Sequence, residues 1–207
     1  NSRGAIARFD RGAIEIRLVD IQECPNADIA IVEMEIATLK AIANGKFWAA
    51  AQSTHNAQSN SAKTVPTKIP TTMKEYRKFL QDFDTTKLAE LLARTTKDAE
   101  DATIDWPEFL AVFGMDFAGR MNDKASGDKV CGDKASGVKA GDIWKHIYSV
   151  VKNDLTDVSQ DLMGKMLARG TLSTALHKAL GDSPAHEAIV AEYKKLAECL
   201  AHNRMYV

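Results

Sequence analysis

The stretch ARFDRGAIEIRLVDIQECPNADIAI, residues 7–31, decides how the chain is read. Ala5–Asp10 leads into Asp10-Arg11-Gly12, a turn signal. From Ala13 to Ile21 apolar and polar side chains alternate. Ile14, Ile16 and Leu18 fall on one face of a strand, and Glu15, Arg17 and Val19 on the other. Two antiparallel strands joined by a tight turn are predicted. Pro25 ends that region. Asn26 or Asp28 is placed to cap a helix that runs to about Asn44, with Gly45 as its stop. Ile29, Val32, Ile36, Leu39 and Ala43 keep helical spacing, which predicts one broad buried face, with Glu33 and Glu35 on the solvated side.

Outward from this stretch the chain reads as helical. Segments are predicted at about 73–83, 86–98, 106–113, 141–153, 157–169, 171–180 and 184–202. Asp105 and Pro107, Gly170, Gly181 and Ser183-Pro184 supply the punctuation. In the last segment Ile189, Tyr193, Leu196 and Leu200 form a row expected in the core. The expected class is α+β, mostly helical with an N-terminal antiparallel strand pair, and residues 1–207 form a single domain. Residues 52–72 are polar, carry two prolines, and read as an exposed loop. Residues 123–141 hold three consecutive pentads, DKASG, DKVCG and DKASG, followed by VKAG. A period of five fits neither helix nor strand. It reads as a flexible insertion grown by repetition, or as a Gly/Lys loop able to cradle phosphate.

Composition narrows the function classes. The 207 residues are 45% hydrophobic and 27% charged, with 27 Lys+Arg against 28 Asp+Glu, a formal net charge of −1. That balance argues against nucleic acid or an anionic membrane surface recruited by bulk charge. No apolar run approaches the roughly 18 residues a membrane span needs. Cys24, Cys131 and Cys199 are widely spaced, form no CxxC pair, and read as reduced thiols of a cytoplasmic protein.

Glu15-Ile16-Arg17 carries the strongest chemical signal. Residues i and i+2 of a strand share a face, so a carboxylate and a guanidinium project together, about 7 Å apart at Cα. Lining a cavity, the glutamate suits Mg²⁺ through hard oxygen, and the arginine's planar fork suits a carboxylate or phosphate. On an open sheet face the same two residues make a simple surface ion pair. Asp20 and Glu23 follow closely as candidate supports for Arg17. The segment DATIDWPEF, 101–109, is similar to the end of a calcium EF-hand loop. Lys97, Ala99 and Ala102 would then occupy two ligand positions and the glycine position, which excludes calcium.

Residues 7–31 resemble a stretch of the bacterial glutamate–cysteine ligase and carboxylate–amine ligase family, where a Glu-x-Arg strand precedes an Asp-x-Gln-Glu-Cys/Ser-Pro segment and a helix. KDAEDATIDWPEFLAVFG (97–114), GDIWKHI (141–147) and AEYKKLAECLAHNRMY (191–206) resemble later stretches in the expected order. The resemblance implies an ATP-dependent ligase that forms an amide through an acyl-phosphate. It implies a glutamine-synthetase-like curved antiparallel sheet, to which the strand pair belongs. Glu15 matches the family's Mg²⁺-holding glutamate, and Arg17 the arginine that faces the phosphates or the substrate carboxylate. The implied cofactors are ATP and Mg²⁺, and the implied substrates a glutamate-like acid and an amine. Family members are about twice this length, and their early strands carry most nucleotide and metal ligands. This chain is therefore expected to be a C-terminal part whose N-terminal half or partner subunit completes the site. The alternative is a non-catalytic helical interaction module or a degenerate relative.

Overall fold

Gly12 turns the chain back on itself with φ of +59°, a conformation that favours a residue without Cβ. On either side of it β1 (Ala5–Arg8) and β2 (Ala13–Ile16) pair antiparallel, Ala5 opposite Ile16 and Ile6 opposite Glu15. The computed structural model describes residues 5–47, 72–115 and 137–206. The predicted loop at 52–71 and the pentads up to residue 136, with Cys131, lie outside the described residues. β2 is shorter than the alternation predicts. The described part of β1 begins at Ala5, so the residues after Ile16 have no strand opposite them there.

The remainder is mostly helical, as expected. α1 (Pro25–Ala43), α2 (Met73–Gln81), α3 (Thr85–Asp98), α4 (Pro107–Val112), α5 (Ala140–Val151), α6 (Asp157–Arg169), α7 (Leu172–Leu180) and α8 (His186–Ala201) follow in order. A second short antiparallel pair, β3 (Thr103–Ile104) and β4 (Val138–Lys139), sets Ile104 opposite Val138 and delivers the chain into α5. α2 opens with a capping box in which Thr72 and Glu75 satisfy each other's backbone N–H groups. An aromatic chain, Phe79–Phe83–Trp106–Phe109–Phe113–Phe47, ties α2 and α4 to the end of α1 through ring contacts of 5.0–5.9 Å. The core gathers Met34, Phe47, Ile104, Leu110, Ile143, Ile147, Val151 and Met163.

Two helices bury a face other than the one expected. α1 lies chiefly along α6 and also touches α5. The face it turns inward carries Ala27, Ala30, Met34, Ala37 and Ala41, while Ile29, Val32, Ile36 and Leu39 each keep 46–54% of their surface exposed. The small residues let the helix axes approach closely; a row of β-branched side chains would hold them apart. Glu33 is therefore turned toward the body, where it accepts hydrogen bonds from Thr156 N (2.9 Å) and Thr156 Oγ1 at the start of α6. In α8, Tyr193 and Leu200 are exposed and Glu192 and Cys199 are buried. The C-terminal residues fold back over that face. Arg204 N donates to Cys199 O, Cys199 Sγ to Met205 O, and Tyr206 Oη to Glu192.

Candidate functional site

The sheet face predicted to carry chemistry does bring Glu15 and Arg17 together. Arg17 Nε donates to Glu15 Oε1 at 2.7 Å. A third residue, not singled out in the sequence, joins them: Arg8 Nη1 stands 3.6 Å from Glu15 Oε2. Its presence follows from the register. Ile6 faces Glu15, so Arg8, two residues on, shares the same face of the pair. One carboxylate thus lies between two guanidiniums. The hydrogen bond from Arg17 holds the Glu15 carboxyl below its ordinary range, with Arg17 and Arg8 charge adding to it. The cluster is open to solvent: the Arg17 and Glu15 side chains are 46% and 41% exposed. On the opposite face Ile14 and Ile16 are exposed, as are Phe9 in the turn and Leu18 just beyond β2.

Glu23 does not support Arg17. It is buried and pairs instead with Arg169 at the end of α6, with 2.6 Å between Arg169 Nη1 and Glu23 Oε1. The same Nη1 donates to Tyr206 O at 2.8 Å. Glu23 Oε2 and Arg169 Nη2 are both buried without a partner. Asn203 Oδ1 accepts from Asn26 N, one of the N–H groups that the first turn of α1 leaves unpaired. Asn26 and Asp28 are therefore not side-chain caps. Asp28 accepts from Gln22 N at 2.9 Å. Asp20 accepts from the neighbouring Ile21 N. The connection between hairpin and α1 is thus fastened at its far end to the C-terminal residues, and the hairpin side stays open.

Among the described residues no cluster of three or more His, Cys, Asp or Glu side chains is placed to hold a metal ion. Glu15 brings a single carboxylate, the hard oxygen type of ligand that Mg²⁺ takes. A groove of about 590 Å³ runs beside α1, lined by Glu33, Ile36, Lys40, Asn44, Lys46 and Asp154 among others, with none from the hairpin. Its Lys46–Asp154 pair, 2.9 Å apart, is solvent-exposed. From the pentad stretch only residues 137–141 are described, and Lys139 there pairs with Asp101 at 2.8 Å. Cys24 and Cys199 are free thiols, both buried. No described helix is long and apolar enough to cross a membrane. No family model, curated protein or solved structure matches this chain.

Proposed function

We propose that this chain forms the C-terminal part of an ATP-dependent carboxylate–amine ligase of the glutamate–cysteine ligase type, acting in the cytoplasm. The observation that carries this reading is the Arg8–Glu15–Arg17 cluster on a two-stranded sheet whose opposite face exposes Ile14 and Ile16. A two-stranded pair with an open apolar face is marginal by itself and gains stability from further strands or a covering layer. In this proposal an N-terminal half or partner subunit supplies those strands, closes a glutamine-synthetase-like curved sheet, and turns the open face of the cluster into the wall of a cavity.

In the closed site Arg17 clamps a phosphate of ATP or the carboxylate of a glutamate-like acid. Arg8 neutralises charge beside it, and Glu15 is a ligand for Mg²⁺. Bound Mg²⁺ supplies charge neutralisation at the phosphates. A carboxylate oxygen of the acid attacks the γ-phosphorus and ADP leaves; the amine then attacks the acyl carbon, the carbon–nitrogen bond forms, phosphate leaves, and the amine's proton passes to solvent. With Mg²⁺ bound, Glu15 would hold the ion and Arg17 would face the anion; without it, the two side chains pair with each other.

The test is turnover in the complete assembly. Arg17→Ala is expected to lower ATP turnover by about 10²–10³-fold, the loss typical of a charge-stabilising donor, with the thermal midpoint unchanged. Near-normal turnover overturns the assignment. A second reading, a non-catalytic helical interaction module, draws on the exposed aliphatic face of α1. Calorimetry with Mg-ATP separates the two. Heat only when the co-purifying subunit is present supports a shared site; no heat in either case supports the module.

A further inference from the structure

The Glu23–Arg169 pair sits where the C-terminal residues meet the connection into α1, and its bonding is incomplete. Arg169 Nη1 donates twice, to Glu23 Oε1 at 2.6 Å and to Tyr206 O at 2.8 Å. Arg169 Nε donates to Gly170 O at 3.4 Å. Arg169 Nη2 and Glu23 Oε2 are buried with no partner. A guanidinium and a carboxylate are able to make two parallel bonds, and a buried donor or acceptor left alone is destabilising. Here one nitrogen serves two acceptors, while a free donor and a free acceptor remain on the same two side chains. Tyr206 O is what divides them. It belongs to residues 204–206, which return over α8 after a bend at Asn203, where φ is +48°. Four bonds hold these residues down: Arg204 N to Cys199 O, Cys199 Sγ to Met205 O, Tyr206 Oη to Glu192, and Arg169 Nη1 to Tyr206 O. Arg204 is exposed, Met205 half-buried and Tyr206 buried, so one ring is the anchor.

We propose that residues 204–206 form a strap that opens and closes as a unit about Asn203, and that the Glu23–Arg169 pair changes its bonding with it. Closed, Arg169 Nη1 is shared with Tyr206 O. Open, the guanidinium turns to meet both Glu23 oxygens through Nη1 and Nη2, and the two unpartnered atoms satisfy each other. That second arrangement offsets part of what the strap loses on opening. The strap therefore opens more readily than the helices beneath it. Asn203 Oδ1 also holds Asn26 N at the start of α1, so the motion reaches the connection that carries the hairpin. The inference stands apart from the ligase reading. Its test involves no nucleotide, so either can fail while the other stands.

The test is amide exchange with water in the full chain, followed by NMR at urea concentrations below the unfolding transition. The Arg204 and Asn26 N–H groups should exchange through an opening that urea hardly changes. Amides in the middle of α1 and α6 should exchange with the steep urea dependence of global unfolding. Tyr206→Phe keeps the ring and removes the bond to Glu192, so both rates should rise together, by about tenfold or more. Tyr206→Ala removes the anchor. In that variant the Arg169 Nη2 protons should become as slow to exchange as those on Nη1, read in the nitrogen spectrum of the guanidinium groups. A strap that only adds stability would leave the Nη2 protons as they are in the parent chain. Unchanged Nη2 protons therefore overturn the proposal, as do strap amides that follow global unfolding. A rise at Arg204 without one at Asn26 overturns the link to the connection. Loss of the fold with either variant would make the strap part of the cooperative core, and overturns the proposal as well.

Discussion

Two glutamate–arginine pairs of nearly equal length sit in this molecule. Glu15–Arg17 is 2.7 Å, joins residues two apart, and lies open to water. Glu23–Arg169 is 2.6 Å, joins residues 146 apart, and its carboxylate is fully buried. The chemistry is the same and the physical roles are opposite. In water the exchange of partners costs little, so the exposed pair is weak as a fastening and available as a binding group. In the interior each charge depends on the other, because neither is solvated once its partner is gone. The buried pair also holds the carbonyl of Tyr206, so it fastens three distant points: the end of the hairpin connection, the end of α6 and the C-terminal residues.

The largest effect should come from breaking the buried pair. Arg169→Met strands the Glu23 carboxylate and is expected to cost about 3–5 kcal/mol of stability, read as a drop in the denaturation midpoint. The double variant Glu23→Leu with Arg169→Met removes both charges and should recover much of that loss. If the double variant is as unstable as the single one, the contrast between the two pairs rests on packing and not on charge.

Alkaline pH probes the same interior. Tyr76 Oη donates to Val112 O at 3.0 Å, and burial pushes this phenol from 10.0 up to about 12. Burial and the Glu192 carboxylate push Tyr206 to about 12 as well. Both phenols hold their protons more tightly when folded. Their contribution is complete below pH 10 and is lost as pH rises toward 12, where the unfolded chain has released its protons first. Stability should therefore fall across that window, by about 2 kcal/mol for Tyr76 alone. Tyr76→Phe should remove its share of the slope, which urea melts at pH 9, 10 and 11 will show.

At the start of α6, Thr156 Oγ1 accepts from Ser159 N. Thr156→Ala should cost about 1 kcal/mol as a lost cap. The Glu33 carboxyl, held low first by the Thr156 backbone N–H, should keep most of that shift because the backbone donor remains. Stability resting on Glu33 is present at neutral pH and fades as pH drops through the lowered value.

How much of this was legible depends on distance along the chain. Pro107, Gly170 and Gly181 act within one turn of themselves, and the helices near them begin or end within a residue or two of expectation. The hairpin was legible for the same reason. The buried face of α1 was not. Both sides of that helix are periodic and apolar, and what decides between them is side-chain size against α6, which one helix alone does not display. Glu23–Arg169 was invisible because nothing local marks residues 146 apart as neighbours. Arg8 was missed for a smaller reason. It needed the strand register, which a turn of definite length supplies.

The smallest effect on stability is expected at the exposed pair. Arg17→Ala should leave the denaturation midpoint where it was, because an exposed pair two residues apart fastens nothing distant. The variant should still be visible in the titration of Glu15. Arg17's hydrogen bond is the main cause of the lowered carboxyl, with Arg8 a weaker one at 3.6 Å. Removing Arg17 should raise the Glu15 titration midpoint, because its largest lowering cause is gone. Adding Arg8→Ala should raise it by a smaller further step, as followed by carbon NMR of the side-chain carboxyl. A fall in stability with Arg17→Ala would mean that the exposed pair carries structure, and it would then be a poor candidate for a group that must release its partner to bind an anion.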